Sequence, residues 1–180
     1  MRSLANPSDP TARRWRPRRR TLGAIATTVA VTVGIAVSQT GGLTHAGGDG
    51  AQVSSGRVQT LAGWPGNDLE GGAVMIRSGG AGGRTIISIH LRGLDRNTTY
   101  PVHVHNRPCS FTPPGGGHYQ HLVGGAVDAT NEVWPTVSTN AHGNGVGFAT
   151  HDHRARQEAQ AIIVHNPANT SIRLACIDLS

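Results

Sequence analysis

The sequence lacks lysine entirely and has few aromatic side chains, with three Trp, two Tyr and two Phe among its 180 residues. The missing lysine indicates a compositional bias and carries no mechanism. Because aromatics are scarce, a folded core must be built mostly from Val, Ile, Leu and Ala. No stretch beyond residue 46 keeps a helical periodicity with caps for three turns, which argues against a helical domain. The length suits one medium domain with extensions and is too short for most two-domain enzymes.

The main part of the chain has no net charge. The formal charge of +6 is carried by residues 1–46, whereas residues 47–180 contain nine Arg and nine Asp or Glu. A nucleic-acid-binding domain needs a basic face on the domain itself. We therefore expect no nucleic-acid partner.

Residues 1–46 have the order of a secretory signal, because an arginine-rich start is followed by an uncharged stretch from Thr21 to Ser38. Residues 44–46 offer a small-residue exit for cleavage, and Arg19-Arg20 resembles the pair of a twin-arginine signal. The stretch is only moderately apolar for a permanent span of about 20 residues. We therefore predict export to the cell envelope or beyond, and an uncleaved membrane anchor is the alternative. No cysteine lies near this stretch, which excludes lipid attachment there.

Only two cysteines are present, Cys109 and Cys176. An even pair in an exported protein predicts one disulfide. Closing a loop of that length stabilises a fold by about 4 kcal/mol in the chain-entropy model. Two buried free thiols are the alternative.

The rest of the chain is typical of short β-strands separated by Gly, Asn and Pro. Residues 47–56 are rich in Gly, Ser and Ala and predict a flexible tether. Thr85–Leu91 alternates between two faces, and the preceding run Gly79–Gly83 predicts a hairpin. The other candidate strands are Arg57–Leu61, Ala73–Arg77, Pro101–His105, Gly145–Ala149, Gln160–His165 and Ile172–Ile177. This pattern predicts an all-β antiparallel sandwich over residues 57–180.

Two of the ten histidines alternate on a predicted strand. In His103-Val104-His105 both imidazoles point to one face, and alternate Cα atoms about 6.5–7 Å apart allow the rings to converge on one metal ion. His118 follows a flexible run of glycines, and His165 ends another predicted strand. Four neutral imidazoles suit copper, which prefers tetragonal nitrogen coordination when oxidised. On His103 and His105 alone, two solvated side chains on an outer strand face explain the pattern equally well.

The remaining histidines give weaker indications. His151 and His153 flank Asp152 just after a predicted strand, which favours a surface segment over an accessory metal site. His90 is expected to face solvent, and His142 to lie in a turn. A zinc hydrolase is a further alternative, but we find no well-placed Glu or Asp general base beside the histidine cluster.

Taken in order along the chain, these segments resemble the copper/zinc superoxide dismutase family from Ala73 to Leu179. The resemblance is carried by Gly93-Leu94 leading into Val102-His103-Val104-His105, by His118 in its glycine-rich loop, by Ala161–His165 and by Arg173-Leu174-Ala175-Cys176. It implies a Greek-key antiparallel β-sandwich or barrel with a disulfide between Cys109 and Cys176. It also implies a copper ion held by His103, His105, His118 and His165.

The activity that the resemblance implies is the dismutation of superoxide by an exported antioxidant enzyme, with copper as the redox cofactor. Arg173 matches the active-site arginine of the family, whose guanidinium holds the small anion beside the metal. Without the resemblance, Arg173 is more simply a strand residue in a surface ion pair. A homodimer is compatible with this reading, and a membrane is a partner only through an uncleaved leader.

The chain departs from the family pattern at the zinc site. Where the family places its last zinc histidine and zinc aspartate, this chain has Asn131 and Trp134, and neither is a zinc ligand. His121 and Asp128 are isolated candidate donors from which we assemble no complete zinc set. The chain thus resembles the copper-only branch, with zinc left uncertain and His118 a plain copper ligand.

A second departure is the short segment of seven residues between His165 and Arg173, where the family usually carries a longer charged loop. Both departures favour an alternative function, an exported copper-binding β-sandwich that buffers or delivers metal without turnover. A structural sandwich with surface histidines is the third interpretation.

Overall fold

A computed structural model of the chain describes residues 50–80 and 82–180. The predicted leader, residues 1–46, lies outside them. Within the described residues the fold is all-β, and no helix there is long and apolar enough to cross a membrane. The strands are β1 (Gln52–Thr60), β2 (Glu70–Ser78), β3 (Arg84–Arg92), β4 (Thr99–Tyr100), β5 (Val102–His105), β6 (Val137–Thr139), β7 (Gly145–His151), β8 (Ala161–Asn166) and β9 (Asn169–Asp178).

All strand pairs are antiparallel, in the order β4-β6-β7-β3-β2-β1-β9-β8-β5. The two edge strands, β4 and β5, are consecutive in the chain with only Pro101 between them. The sheet therefore curls into a nearly closed barrel, and the backbone N–H of His165 donates to the Pro101 carbonyl at the seam (2.9 Å). Neighbours such as β3 and β7 are far apart in sequence, which requires crossover connections. The predicted antiparallel all-β sandwich or barrel is confirmed.

The interior is built as the composition requires. In β3 the side chains of Ile87, Ile89 and Leu91 are buried, while His90 on the opposite face is exposed, as the alternation predicts. The aromatic members of the main core are Trp64, Tyr100 and Tyr119, and the others are aliphatic apart from Met75. The core thus depends mainly on aliphatic packing.

The prediction that residues 47–56 form a tether is wrong from Gln52 onward, because β1 begins there. Ser54 is buried and accepts a hydrogen bond from Nη1 of Arg77 (2.9 Å). Gly56 packs so closely against the Asp178 carbonyl that no Cβ would fit between them. Gly56 is therefore required by close packing, and Ser54 is held by a buried hydrogen bond. Two short strands, β4 and β6, were not predicted.

Cys109 and Cys176 form a disulfide, as predicted, with their sulfur atoms 1.98 Å apart. The bridge packs with Ala161 and Ile163 in a small second core, and the backbone N–H of Cys109 donates to Oδ1 of Asp178 (2.7 Å). The segment that follows β5 is thereby fastened to β9. This segment carries the loop that leads to His118.

Candidate metal centre

Four histidines from three parts of the chain meet on one side of the barrel. His103 and His105 lie on β5, His165 lies near the end of the neighbouring β8, and His118 lies opposite His105 in an isolated β-bridge. One ring nitrogen of each lies within 4.8 Å of the others. The predicted convergence of these four side chains is confirmed, and the cluster could hold a metal ion.

Local irregularities in the backbone place the two histidines of the cluster that lie outside β5. The pairing of β8 with β9 shifts register on both sides of His165, and such a bulge re-aims a side chain. Gly115 and Gly116 have positive φ values of 80° and 66°, which glycine adopts without strain and which fold the loop over β5. A Cβ on Gly115 would lie 2.8 Å from the side chain of Ile163. The glycine run is thus needed to bring His118 to the cluster.

The outer ring nitrogens fix the tautomers of three histidines. Nδ1 of His105 donates to the Gly116 carbonyl (3.3 Å), Nδ1 of His165 to the Thr170 carbonyl (2.6 Å), and Nδ1 of His118 to Oε2 of Glu132 (2.6 Å). Carbonyl and carboxylate oxygens only accept, so each Nδ1 carries the proton. Each Nε2 therefore has a free lone pair, and hydrogen bonds of this kind are typical of metal-bound histidines.

These residues fit a metal ion. Nε2 of His105 and Nε2 of His165 are only 3.3 Å apart, although neither carries a proton and neither can donate to the other. Burial, helped by the neighbouring imidazoles, lowers the pKa of His105 to about 2 and those of His103 and His165 to about 4. A proton therefore does not bridge these lone pairs near neutral pH. A bound cation would satisfy both.

Glu132, which sequence analysis did not single out, lies beside the cluster and bonds His118. At the free edge of β5, Val104 accepts from Tyr119 N–H and donates to the Val133 carbonyl (both 2.9 Å). These bonds fix to β5 the residues that directly follow His118 and Glu132. Glu132 is almost fully buried, and it accepts from His118, from Nε1 of Trp134 (2.9 Å) and from Nε2 of Gln120 (3.3 Å).

The position of Glu132 does not support the zinc-hydrolase alternative. Both of its oxygens already accept hydrogen bonds, and it contacts the outer nitrogen of His118 on the side away from the cluster. A general base must reach the water that it deprotonates. Glu132 is therefore placed to orient His118.

Arg173 lies beside the cluster and forms no ion pair with another described residue. Its Nη1 donates to the Pro114 carbonyl and its Nη2 to the Gly116 carbonyl (2.7 Å). Its charge contributes to the lowered pKa values of His105 and His165. The surface ion pair considered for Arg173 is not found, and the guanidinium is held next to two of the four histidines.

The candidate zinc donors lie elsewhere. His121 and Asp128 are not part of the four-histidine cluster, and Oδ1 of Asp128 instead accepts from the backbone N–H groups of Thr130 and Asn131. The side chain of Asn131 bonds the backbone of its own loop, and that of Trp134 bonds Glu132. The structure brings no zinc set together from these four residues.

His151 and His153 are partly buried and are not simply surface residues. The ring of His153 stacks on that of His121, with 3.6 Å between ring centroids and 25° between planes. His142 is exposed in a turn, as predicted. Residues that sequence analysis treated separately thus form a second histidine cluster.

No protein-family model and no curated protein matches this chain. The barrel, the four-histidine cluster and the disulfide are compatible with a fold like that of the copper/zinc superoxide dismutases.

Proposed function

We propose that the protein is a copper-dependent superoxide dismutase that acts after export. In the overall reaction two superoxide anions and two protons give one O2 and one H2O2, so one anion is oxidised and the other is reduced. The observation that carries the proposal is the group of four imidazoles whose facing nitrogens lie within 4.8 Å of one another. Copper, when bound, supplies the one-electron redox chemistry, and all-nitrogen coordination suits it.

The four histidines would hold copper through two kinds of nitrogen. His105, His118 and His165 present Nε2, because their Nδ1 atoms donate to fixed acceptors. His103 presents Nδ1, which lies 3.0 Å from Nε2 of His118. Neutral imidazoles leave the charge of the ion uncompensated, which favours the approach of an anion.

The cluster is accessible from one side. His105 and His165 are buried, whereas His103 and His118 are partly exposed. A small anion therefore reaches the ligand nitrogens past the edge formed by His103 and His118.

Arg173 would hold the anion. Its planar guanidinium has five N–H groups, of which two are directed at the Pro114 and Gly116 carbonyls. Those two bonds fix the plane of the group, and the others remain for a substrate. Because arginine stays charged at any working pH, this attraction to the anion persists over the whole pH range in which the enzyme works.

The proposal is tested by the rate of superoxide decay as a function of copper per chain. We expect the rate to rise in proportion to copper content and to be lost in His103→Ala/His165→Ala. The variant His142→Ala is a matched control, because it removes an exposed histidine outside the cluster. Full copper occupancy without superoxide decay would refute the enzymatic function and favour a copper-binding protein. Elemental analysis of the same samples measures zinc.

A further inference from the structure

A second group of imidazoles lies outside the four-histidine cluster. We call His121, His151 and His153 the histidine trio. The rings of His121 and His153 are stacked, and the ring of His151 is 5.1 Å from that of His153, centroid to centroid. His121 belongs to the loop before Glu132, and His151 is the last residue of β7. The trio therefore connects that loop to the barrel.

Two observations indicate that His153, a member of the trio, lacks a partner. Nε2 of His153 is buried and has no hydrogen-bond partner among the described residues. A cavity of about 310 Å³ lies at the same place and is lined by His151, Asp152, His153 and Thr130, among others. A buried polar atom without a partner is costly, so such an atom beside a cavity indicates a missing ligand.

The chemistry of the surrounding groups specifies a cation. Burial, together with His121 and His151, lowers the pKa of His153 to about 4, and burial also lowers the pKa of His151. Both rings are therefore neutral near pH 7 and have a lone pair to donate. Asp152 adds an exposed carboxylate between the two histidines. Three imidazoles and one carboxylate are the ligand types that Zn²⁺ prefers.

We propose that the histidine trio, with Asp152, is a second metal site that takes Zn²⁺. The ring nitrogens of the trio do not all lie within 4.8 Å of one another, as those of the four-histidine cluster do, so binding requires one side chain to turn. His121 has this freedom because its side chain is exposed, while its carbonyl is fixed by a hydrogen bond from Nη1 of Arg156.

A metal ion at this place would fix the loop that carries Glu132. The carbonyl of Asn131 accepts from the backbone N–H of His121 (2.7 Å), so a ligand on His121 also restrains the residue before Glu132. The proposed ion would thus strengthen the segment that orients His118 without contacting the cluster. This inference does not rest on the proposed dismutase activity.

The test is the number of Zn²⁺ ions that the metal-free full chain binds, measured by chelator competition and elemental analysis. We expect two per wild-type chain and one per His121→Ala/His153→Gln chain. His90→Ala/His142→Ala is the matched control, because both side chains are exposed and lie outside either cluster, and it should bind two. As Zn²⁺ is added, one of the two equivalents should shift the imidazole ¹⁵N signals of all three trio rings.

Equal zinc stoichiometry and affinity in wild type and His121→Ala/His153→Gln would refute the proposed second metal site. If the double variant fails to fold, His121→Ala alone decides, because its side chain is exposed. At least tenfold weaker binding of one zinc ion in His121→Ala supports the trio, and unchanged binding of both ions refutes it. Loss of dismutase activity with intact zinc binding would affect only the proposed function.

Discussion

Replacing Glu132 with glutamine tests whether this residue orients and polarises His118. The substitution keeps the shape of the side chain and removes its charge. In the wild type, Oε2 accepts from both Nδ1 of His118 (2.6 Å) and Nε1 of Trp134 (2.9 Å). An amide oxygen at that position can still accept both bonds, so the orientation of His118 survives. The amide nitrogen takes the place of Oε1 and no longer accepts from Nε2 of Gln120.

The magnitude follows from the difference between charged and neutral acceptors. Hydrogen bonds to charged groups contribute about 1.5–3 kcal/mol, against roughly 0.5–1.5 kcal/mol for neutral ones. Outer partners of this kind typically change metal affinity by about 10- to 100-fold. We expect Glu132→Gln to weaken copper binding by about that factor. Glu132→Ala also leaves buried donors without acceptors, so its metal-free form should lose roughly 2–4 kcal/mol of unfolding free energy.

Copper affinity is measured by chelator competition, and stability by urea unfolding of the metal-free variants. Glu158→Gln is the matched control, because Glu158 is largely exposed (60%) and, within residues 50–80 and 82–180, pairs only with Arg156. An ion pair of that kind contributes at most about 1 kcal/mol, so the copper affinity and the unfolding free energy of this variant should stay near wild type. Copper affinity of Glu132→Gln equal to that of the control would refute the role assigned to Glu132.

Three further predictions concern other parts of the chain. Arg173→Ala should keep copper but lose superoxide turnover at low ionic strength, with partial rescue in Arg173→Lys, and an unchanged stopped-flow rate would remove this residue from catalysis. Replacing Cys109 and Cys176 with serine opens a loop of 67 residues and should cost about 4 kcal/mol in urea unfolding; an unchanged midpoint contradicts this. Burial raises the pKa of Tyr100 to about 12, so the folded state keeps a proton that the unfolded chain releases near pH 10. Stability should therefore fall from pH 10 towards 12 in wild type and less in Tyr100→Phe, and parallel pH curves would disprove the assignment.

All four candidate copper ligands could be predicted from the sequence, but strand alternation explains only two of them. His103 and His105 share a face by the geometry of β5 alone. His118 and His165 were also singled out, from a flexible glycine run and from the end of a predicted strand, but a glycine loop and a bulge set their final positions. Their convergence depends on pairs between β5 and β8, some 60 residues apart.

Other features had no local pattern from which to predict them. Glu132 lies in a segment without strand periodicity, and its partner His118 is 14 residues away. The stacking of His121 on His153 joins a loop to the residues just after β7. The start of β1 was missed because Gly and Ser are typical of flexible segments, whereas Gly56 is there to allow close contact with β9.

The pairing of β5 with β8 also determines when a metal ion can be captured. His103 and His105 face His165 only after β8, near the C-terminal end of the chain, has docked on β5. An extended chain therefore has no complete ligand set, and a polypeptide that crosses a membrane unfolded cannot carry the ion with it. For a chain exported in that way, any ion would have to be taken up in the compartment where folding finishes.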